Sequence, residues 1–203
     1  MSRTLIAYST IDGHTLKICA RLKQWLEDAG HSATLLEIVE GVRIDANSFD
    51  QIVVGASIRY GKHRPAVFSF IDANRLLLES KPSAFFSVNV VARKPGKDAP
   101  TSNPYIKAFR RKTTWSPREV AVFAGKIDYP KYGFLDREVI RFIMWLTHGP
   151  IDRTARVDFT DWQAVERFAR RIGEMGSGEV GAAAHLSAGQ VLTARTDASS
   201  NST

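Results

Sequence analysis

The residues best suited to chemistry stand near the start of the chain, in the run Ser9-Thr-Ile-Asp-Gly-His-Thr15, directly before a helical pattern. Backbone N–H groups at a helix start can point at an anion, and the helix dipole favours negative charge there. Gly13 permits close approach of a ligand to the backbone. Ser9, Thr10 and Thr15 add hydroxyl donors. This composition suits a phosphate group, with ordinary capping of the helix as the plainer alternative. No G-x-G-x-x-G opens the helix and no lysine follows a glycine-rich P-loop pattern, so a singly phosphorylated ligand is favoured over a dinucleotide or a nucleoside triphosphate.

Two further runs carry suitable groups. In Gly55-Ala-Ser-Ile-Arg-Tyr-Gly-Lys-His63, small residues let a planar ligand reach the backbone and Tyr60 can stack on it. Arg59, Lys62 and His63 are expected to add positive potential at the rim. In Ser87-Val-Asn-Val-Val-Ala-Arg-Lys94, Asn89 can bond the polar edge of a heterocycle, while Arg93 and Lys94 can meet carboxylates or phosphate. For Tyr60 and His63, surface or packing roles stay open. No Ser-His-Asp order, H-E-x-x-H motif or paired-carboxylate signature is present, and no residue identifies itself as a catalytic base. The 5 histidines are scattered with no metal-ligand spacing, so no metal is expected. The single cysteine, Cys19, excludes an intramolecular disulfide. It shares the expected inner face of the first helix with Leu16, Leu22 and Leu26. Enzyme chemistry, if the chain performs any, is then more naturally supplied by a cofactor that the protein binds, orients and tunes.

The elements that must position these loops follow from the apolar pattern. Arg3 to Tyr8, Ala33 to Ile38, Asp50 to Ala56, Pro82 to Val90 and Val120 to Ala124 read as five strands, apolar enough to be covered on both faces. Helical patterns run from Thr15 to Ala29, with Gly30 just past the end, and from Pro65, with Val67, Phe68, Ile71 and Leu76 facing inward. Another helix is expected from Asn103 to Thr113, and Thr160 with Gln163 resembles a capping box for a last helix to Ile172. This alternation predicts an α/β three-layer fold with a parallel sheet, where ligands bind outside the carboxyl ends of the strands.

Two segments exceed that plan. Asp128–Asp158 is an insert containing the helical run Phe134–Leu146, apolar over most of its surface. That run is too short to span a bilayer but long enough to lie in its interface, and a core-facing or dimer-facing role stays open, so a homo-oligomer is a further expectation. The tail from Met175 to Thr203 has little to bury and is expected to be disordered. The domain division is thus 1–174 and 175–203.

The net charge is +7, and nine basic residues lie between Arg93 and Lys126 against only Asp98 and Glu119. Such a field attracts anionic lipid, an anionic substrate or nucleic acid. Nucleic acid is disfavoured, because the helix at Lys107–Lys112 has no aromatic platform beyond Tyr105 and Phe109. The chain runs from Met1 straight into a strand, and no apolar run reaches a membrane span, so a cytosolic or membrane-peripheral location is expected.

With these runs in view, the sequence resembles the flavodoxin-like bacterial protoporphyrinogen IX dehydrogenases that use quinones. Ser9 to Thr15 resembles the FMN phosphate loop of that family. Gly55 to Gly61 and Phe86 to Pro95 are similar to its most distinctive runs, and Tyr129 to Tyr132, Asp136-Arg137 and Thr160 to Trp162 to further family positions. The resemblance spans Arg3 to Ile172 and implies a flavodoxin-like sheet in the order 2-1-3-4-5. It implies six-electron oxidation of protoporphyrinogen IX to protoporphyrin IX in haem biosynthesis, with electrons leaving through FMN to menaquinone or ubiquinone. It implies peripheral attachment to the cytoplasmic side of the inner membrane. Cofactor contacts would come from Ser9, Thr10, Ile11, Asp12, Gly13, His14 and Thr15, from Ser57, Ile58, Arg59, Tyr60 and Gly61, and from Ser87, Val88, Asn89, Val90, Ala92 and Arg93. Substrate or membrane contacts would come from Arg93, Lys94, Tyr129, Tyr132, Arg137, Ile140, Ile143 and Trp145. The alternatives are an NAD(P)H-dependent quinone reductase or a flavodoxin-type electron carrier, and more distantly a basic binding protein without enzymatic activity.

Overall fold

The structure, a computed structural model, describes residues 1–131, 133–146 and 149–176. Strands β1 (Arg3–Ser9), β2 (Ser32–Glu37), β3 (Gln51–Arg59), β5 (Ser83–Asn89) and β6 (Glu119–Ala124) form a parallel sheet in the order β2-β1-β3-β5-β6. A short strand β4 (Lys62–His63) folds back antiparallel on β3 and lies off this path. Helix α1 (His14–Asp28) and a last helix α6 (162–176) cover one face. Helices α2 (Pro65–Ala73), α3 (Arg75–Ser80) and α4 (Pro104–Lys112) cover the other.

Strand periodicity explains the two cores. Leu5, Ile52 and Phe85 point to the α2–α4 side, and their neighbours Ile6, Val53 and Phe86 point to the α1–α6 side. All six are at most 1% exposed, which is why the strands read as continuous apolar runs. Phe85 stacks on Phe109 at 3.9 Å and 7°, locking α4 to the sheet. Phe86 meets Phe168 of α6 edge-on at 6.0 Å. Cys19 is fully buried and its thiol is pushed far up by burial.

The expected strand order is found, with β4 added. β3 runs on to Arg59, through residues expected in a loop, because the chain reverses in a two-residue turn and pairs Arg59 with Lys62. The helix from Pro65 breaks at Asn74, whose side chain accepts from Ile44 N at 2.7 Å and donates to Val42 O at 3.1 Å. The break shifts the helical phase, so Leu78 faces inward and Leu76 is 84% exposed, not inward as its spacing suggested. Thr160 does not cap α6. Asp161 does, accepting from Ala164 N at 3.0 Å, and Thr160 Oγ1 instead donates to Ala124 O at 2.9 Å. α6 extends past Ile172, and Met175, expected to open the tail, packs into the core at 8% exposure. Residues 177–203 lie outside the described residues.

The excursion between β6 and α6 is built on a two-stranded antiparallel stem, β7 (Lys126–Asp128) with β8 (Arg156–Asp158). It carries helix α5 (Phe134–Leu146) and a small core of Ile127, Tyr129 and Met144. Tyr129 is fully buried and its hydroxyl donates to Pro150 O at 2.6 Å, so it holds the arm together.

Candidate functional site

A cleft of about 530 Å³ opens at the carboxyl ends of β1, β3, β5 and β6 and is closed on one side by the arm. The first wall is the loop after β1. Gly13 takes φ +77°, and α1 begins with no side chain capping its first N–H groups. Ser9 Oγ and Thr15 Oγ1 are buried with no partner among the described residues. Buried hydroxyls are ordinarily paired, so two orphans beside uncapped backbone donors fit an anion. Thr10, Ile11, Asp12, His14 and Thr15 line the cleft, while Ser9, buried, and Gly13, exposed, are outside the lining.

The β3–β4 hairpin forms the second wall with Ser57, Ile58, Arg59, Tyr60 and Gly61. Tyr60 (φ +49°) and Gly61 (φ +75°) are the two central turn residues, the backbone that a tight right-twisted hairpin demands. This backbone lifts Tyr60 out to 70% exposure, with the Arg59 guanidinium 5.1 Å from its ring. Arg59 also pairs with Asp12 at 3.4 Å and joins this wall to the first. His63 does not supply rim charge. It is 4% exposed among Phe68, Phe85 and Phe109, with Nε2 3.0 Å from Ser87 Oγ, and burial followed by the nearby Lys112 lowers its pKa to about 4.

The third wall follows β5. Asn89 Oδ1 accepts from Ala92 N at 3.0 Å and from Asn103 Nδ2 at 3.3 Å, folding Val90–Arg93 into a 3₁₀ turn. Its carbonyl oxygen therefore shapes the loop, a role the sequence alone did not suggest. Val88, Asn89, Val90 and Arg93 line the cleft, but Ser87 and Ala92 are buried behind it. Arg93 Nη1 donates to Val90 O at 3.1 Å, and its guanidinium lies 5.8 Å from the Phe159 ring, at the seam between this loop and the arm. Partial burial lowers its pKa. Lys94 is outside the lining.

The arm is the fourth wall. It contributes Lys126, Ile127 and Asp128 from β7 and Val139, Ile140 and Met144 from α5. Of these only Ile140 was expected; β7 was missed because three residues are too few to show a period. Lys126 Nζ lies 2.9 Å from Asp128 Oδ2. Tyr105, one of the two aromatics beside the α4 cations, lines the cleft at the start of α4. Arg137 stays on the polar face of α5, near Glu138, and Trp145 is 63% exposed outside the cleft. Tyr132 and the side chain of Ile143 lie outside the described residues.

The stem is tied to the first loop. His14 Nε2 lies 2.7 Å from Thr160 Oγ1 and 3.6 Å from Asp158 Oδ1, and Lys17 Nζ lies 3.4 Å from Asp158 Oδ2. Burial lowers the His14 pKa, against the pull of Asp158. Among the described residues no three His, Cys, Asp or Glu side chains group to hold a metal ion. The cleft thus brings together orphaned hydroxyls at an uncapped helix start, the edges of two loops, and an apolar wall with cations beside it.

Residues 5–154 match the family described as the flavodoxin domain. The chain is 39% identical over 173 residues to "Protoporphyrinogen IX dehydrogenase [quinone]" of Escherichia coli (strain K12), covering 85% of this chain and 96% of that protein. It is 40% identical over 168 residues to the protein of the same name from Leishmania major, covering 82% and 73%. Among solved structures, a flavodoxin from the domain Archaea aligns with a TM-score of 0.47 and 15% identity, over 86% of this chain and 99% of that one.

Proposed function

The chain belongs to the flavodoxin domain family, among the quinone-dependent protoporphyrinogen IX dehydrogenases, and on that footing we propose that it binds FMN and oxidises protoporphyrinogen IX to protoporphyrin IX with a quinone as acceptor. The observation that carries this reading is one continuous cleft with orphaned hydroxyls at an uncapped helix start and an apolar wall at its far side. FMN supplies the capacity to take electrons from the macrocycle and pass them to the quinone. The chain supplies everything around it.

Ser9, Thr10, Thr15 and the first N–H groups of α1 hold the phosphate. The hairpin and the 3₁₀ turn offer backbone edges from Ser57 to Gly61 and from Val88 to Val90, and Tyr60 offers an aromatic face. Val139, Ile140, Met144 and Ile127 exclude water from the reacting side and match a greasy macrocycle or quinone ring. Arg93 and Lys126 place positive charge where propionates can reach it.

No helix among the described residues is long and apolar enough to cross a membrane. We further propose peripheral attachment at the cytoplasmic side of the inner membrane. Phe134, Phe142 and Trp145 are all at least 59% exposed on α5, and the exposed cations of α4, Lys107, Arg110, Arg111 and Lys112, suit anionic headgroups.

Reconstitution with FMN followed by an anaerobic porphyrinogen assay, with and without menaquinone or ubiquinone, tests the reading. The expected result is a flavin absorbance spectrum and porphyrin formation that depends on the quinone. Failure to bind FMN overturns it. Bound FMN without porphyrinogen oxidation would instead favour a quinone reductase or an electron carrier.

A further inference from the structure

We propose that His14 is a proton-linked clasp, taking up a proton when a phosphate dianion occupies the Ser9–Thr15 loop and thereby fastening the stem of the arm through Asp158. The proposal rests on the FMN reading above, since it needs a phosphate in that loop. His14 is the first residue of α1 and Asp158 the last of β8, so one contact joins cofactor loop and arm.

The hydrogen-bond network assigns the ring. Thr160 Oγ1 gives its hydrogen to Ala124 O at 2.9 Å, which leaves a lone pair toward His14 Nε2 at 2.7 Å. Nε2 therefore carries the hydrogen in the neutral ring, and Nδ1 is the atom that takes up a further proton. Asp158 Oδ1, 3.6 Å from Nε2, is itself fixed by accepting from Thr160 N at 3.0 Å. The carboxylate is thus already in place for an imidazolium.

The groups around the ring hold its pKa below the ordinary histidine value. Burial opposes a charge on it most strongly, Asp158 favours one, and Lys17 of α1 and Lys126 of β7 oppose it. From α6 the Trp162 ring meets it edge-on at 6.3 Å without charge. Asp12, in the same loop, is engaged with Arg59. A phosphate at the start of α1 brings negative charge to this cluster and reverses the balance. Lys17 and Lys126 stay beside Asp158 and Asp128, and the imidazolium faces Asp158.

The sign of the linkage follows. A group whose pKa rises on binding tightens binding as pH falls between its free and bound values, by up to about tenfold per pH unit for one proton. The phosphate of FMN titrates near pH ~6 and works in the opposite direction, equally in any variant. The difference between variants isolates the imidazole.

The test titrates the apo-protein and the variant H14Q with FMN and with riboflavin, which lacks the phosphate, across about pH 5 to 8. Calorimetry in buffers of unlike ionisation enthalpy counts the protons taken up. The expected result is more proton uptake on FMN binding by the wild type than by H14Q, by up to about one proton per FMN, and none with riboflavin. Amide exchange in β8 is expected to slow with FMN in the wild type and less so in H14Q. Should H14Q fail to fold or to hold FMN, D158N carries the test, with reduced proton uptake expected. Equal uptake in wild type and variant, or equal uptake with riboflavin, overturns the clasp while leaving FMN binding intact. No FMN binding by the wild type at any pH overturns the functional reading itself.

Discussion

Gly55 and Phe86 are partners across β3 and β5, and the Phe86 ring fills the space where a side chain on Gly55 would begin. A Cβ there would lie 2.2 Å from Phe86 Cζ. The ring is itself packed against Phe123 and Phe168, so moving it aside disturbs both contacts. Gly55→Ala is expected to cost about 1–3 kcal/mol by overpacking, read as a lower urea midpoint at unchanged slope. An unchanged midpoint would show that the core yields more easily than its packing suggests.

Tyr60 carries a second local cost. Its φ of +49° is one that an L side chain larger than Asn or Asp seldom adopts. Tyr60→Asn keeps the turn and favours this backbone, so the apo-protein is expected to gain up to about 1 kcal/mol. The same change removes the aromatic face beside the slot, and FMN affinity is expected to fall. Thermal melts of the apo-protein and flavin titrations, taken together, check both signs. A variant that gained stability and kept its affinity would release Tyr60 from any stacking role.

His63 gives a pH dependence. Burial holds its folded pKa near 4 against about 6.5 in the unfolded chain, so the unfolded state binds the extra proton. The sign is that of a depressed basic group: its contribution is complete above about pH 6.5 and lost as pH falls toward 4, of order 3 kcal/mol in all. Urea midpoints measured between those values should decline, and His63→Phe should flatten that decline. A wild-type curve as flat as the variant's would contradict a neutral His63.

The two sides of α5 should separate in experiment. Ile140 and Met144 face the cleft, while Phe142 and Trp145, their rings 6.1 Å apart, are exposed. Replacing Phe142 and Trp145 together by serine is expected to reduce sedimentation with anionic vesicles by about tenfold or more, with FMN affinity unchanged. Ile140→Asn is expected to leave vesicle binding intact and raise KM for porphyrinogen or quinone. Loss of FMN from the Phe142 and Trp145 variant would mean that this face supports the fold.

Much of this architecture is legible in the chain because it rests on local signals. Gly30, at φ +83°, ends α1 where a left-handed residue is required, and the doubly covered strands announce themselves as apolar runs. The Ser9–Thr15 loop is legible for the same reason, since strand, glycine and helix follow one another directly. What the sequence hid depends on long-range partners. The burial of His63 is set by Phe85 and Phe109, at positions far along the chain. Asn89 is committed to Asn103, fourteen residues on. Lys126 and Asp128 reach the cleft through a strand pair whose second half lies some thirty residues later.

The stem of the arm has a consequence for how such chains can vary. Lys126 and Asp158 sit opposite one another, so the chain enters the arm and leaves it at neighbouring points. Everything between them is a side excursion, and the parallel strands have already set their register before it begins. Length and composition can therefore drift in the excursion without the central scaffold having to readjust. A lineage could trade one covering for another over the same floor, and so exchange the molecules admitted above it while the seat below is inherited unchanged.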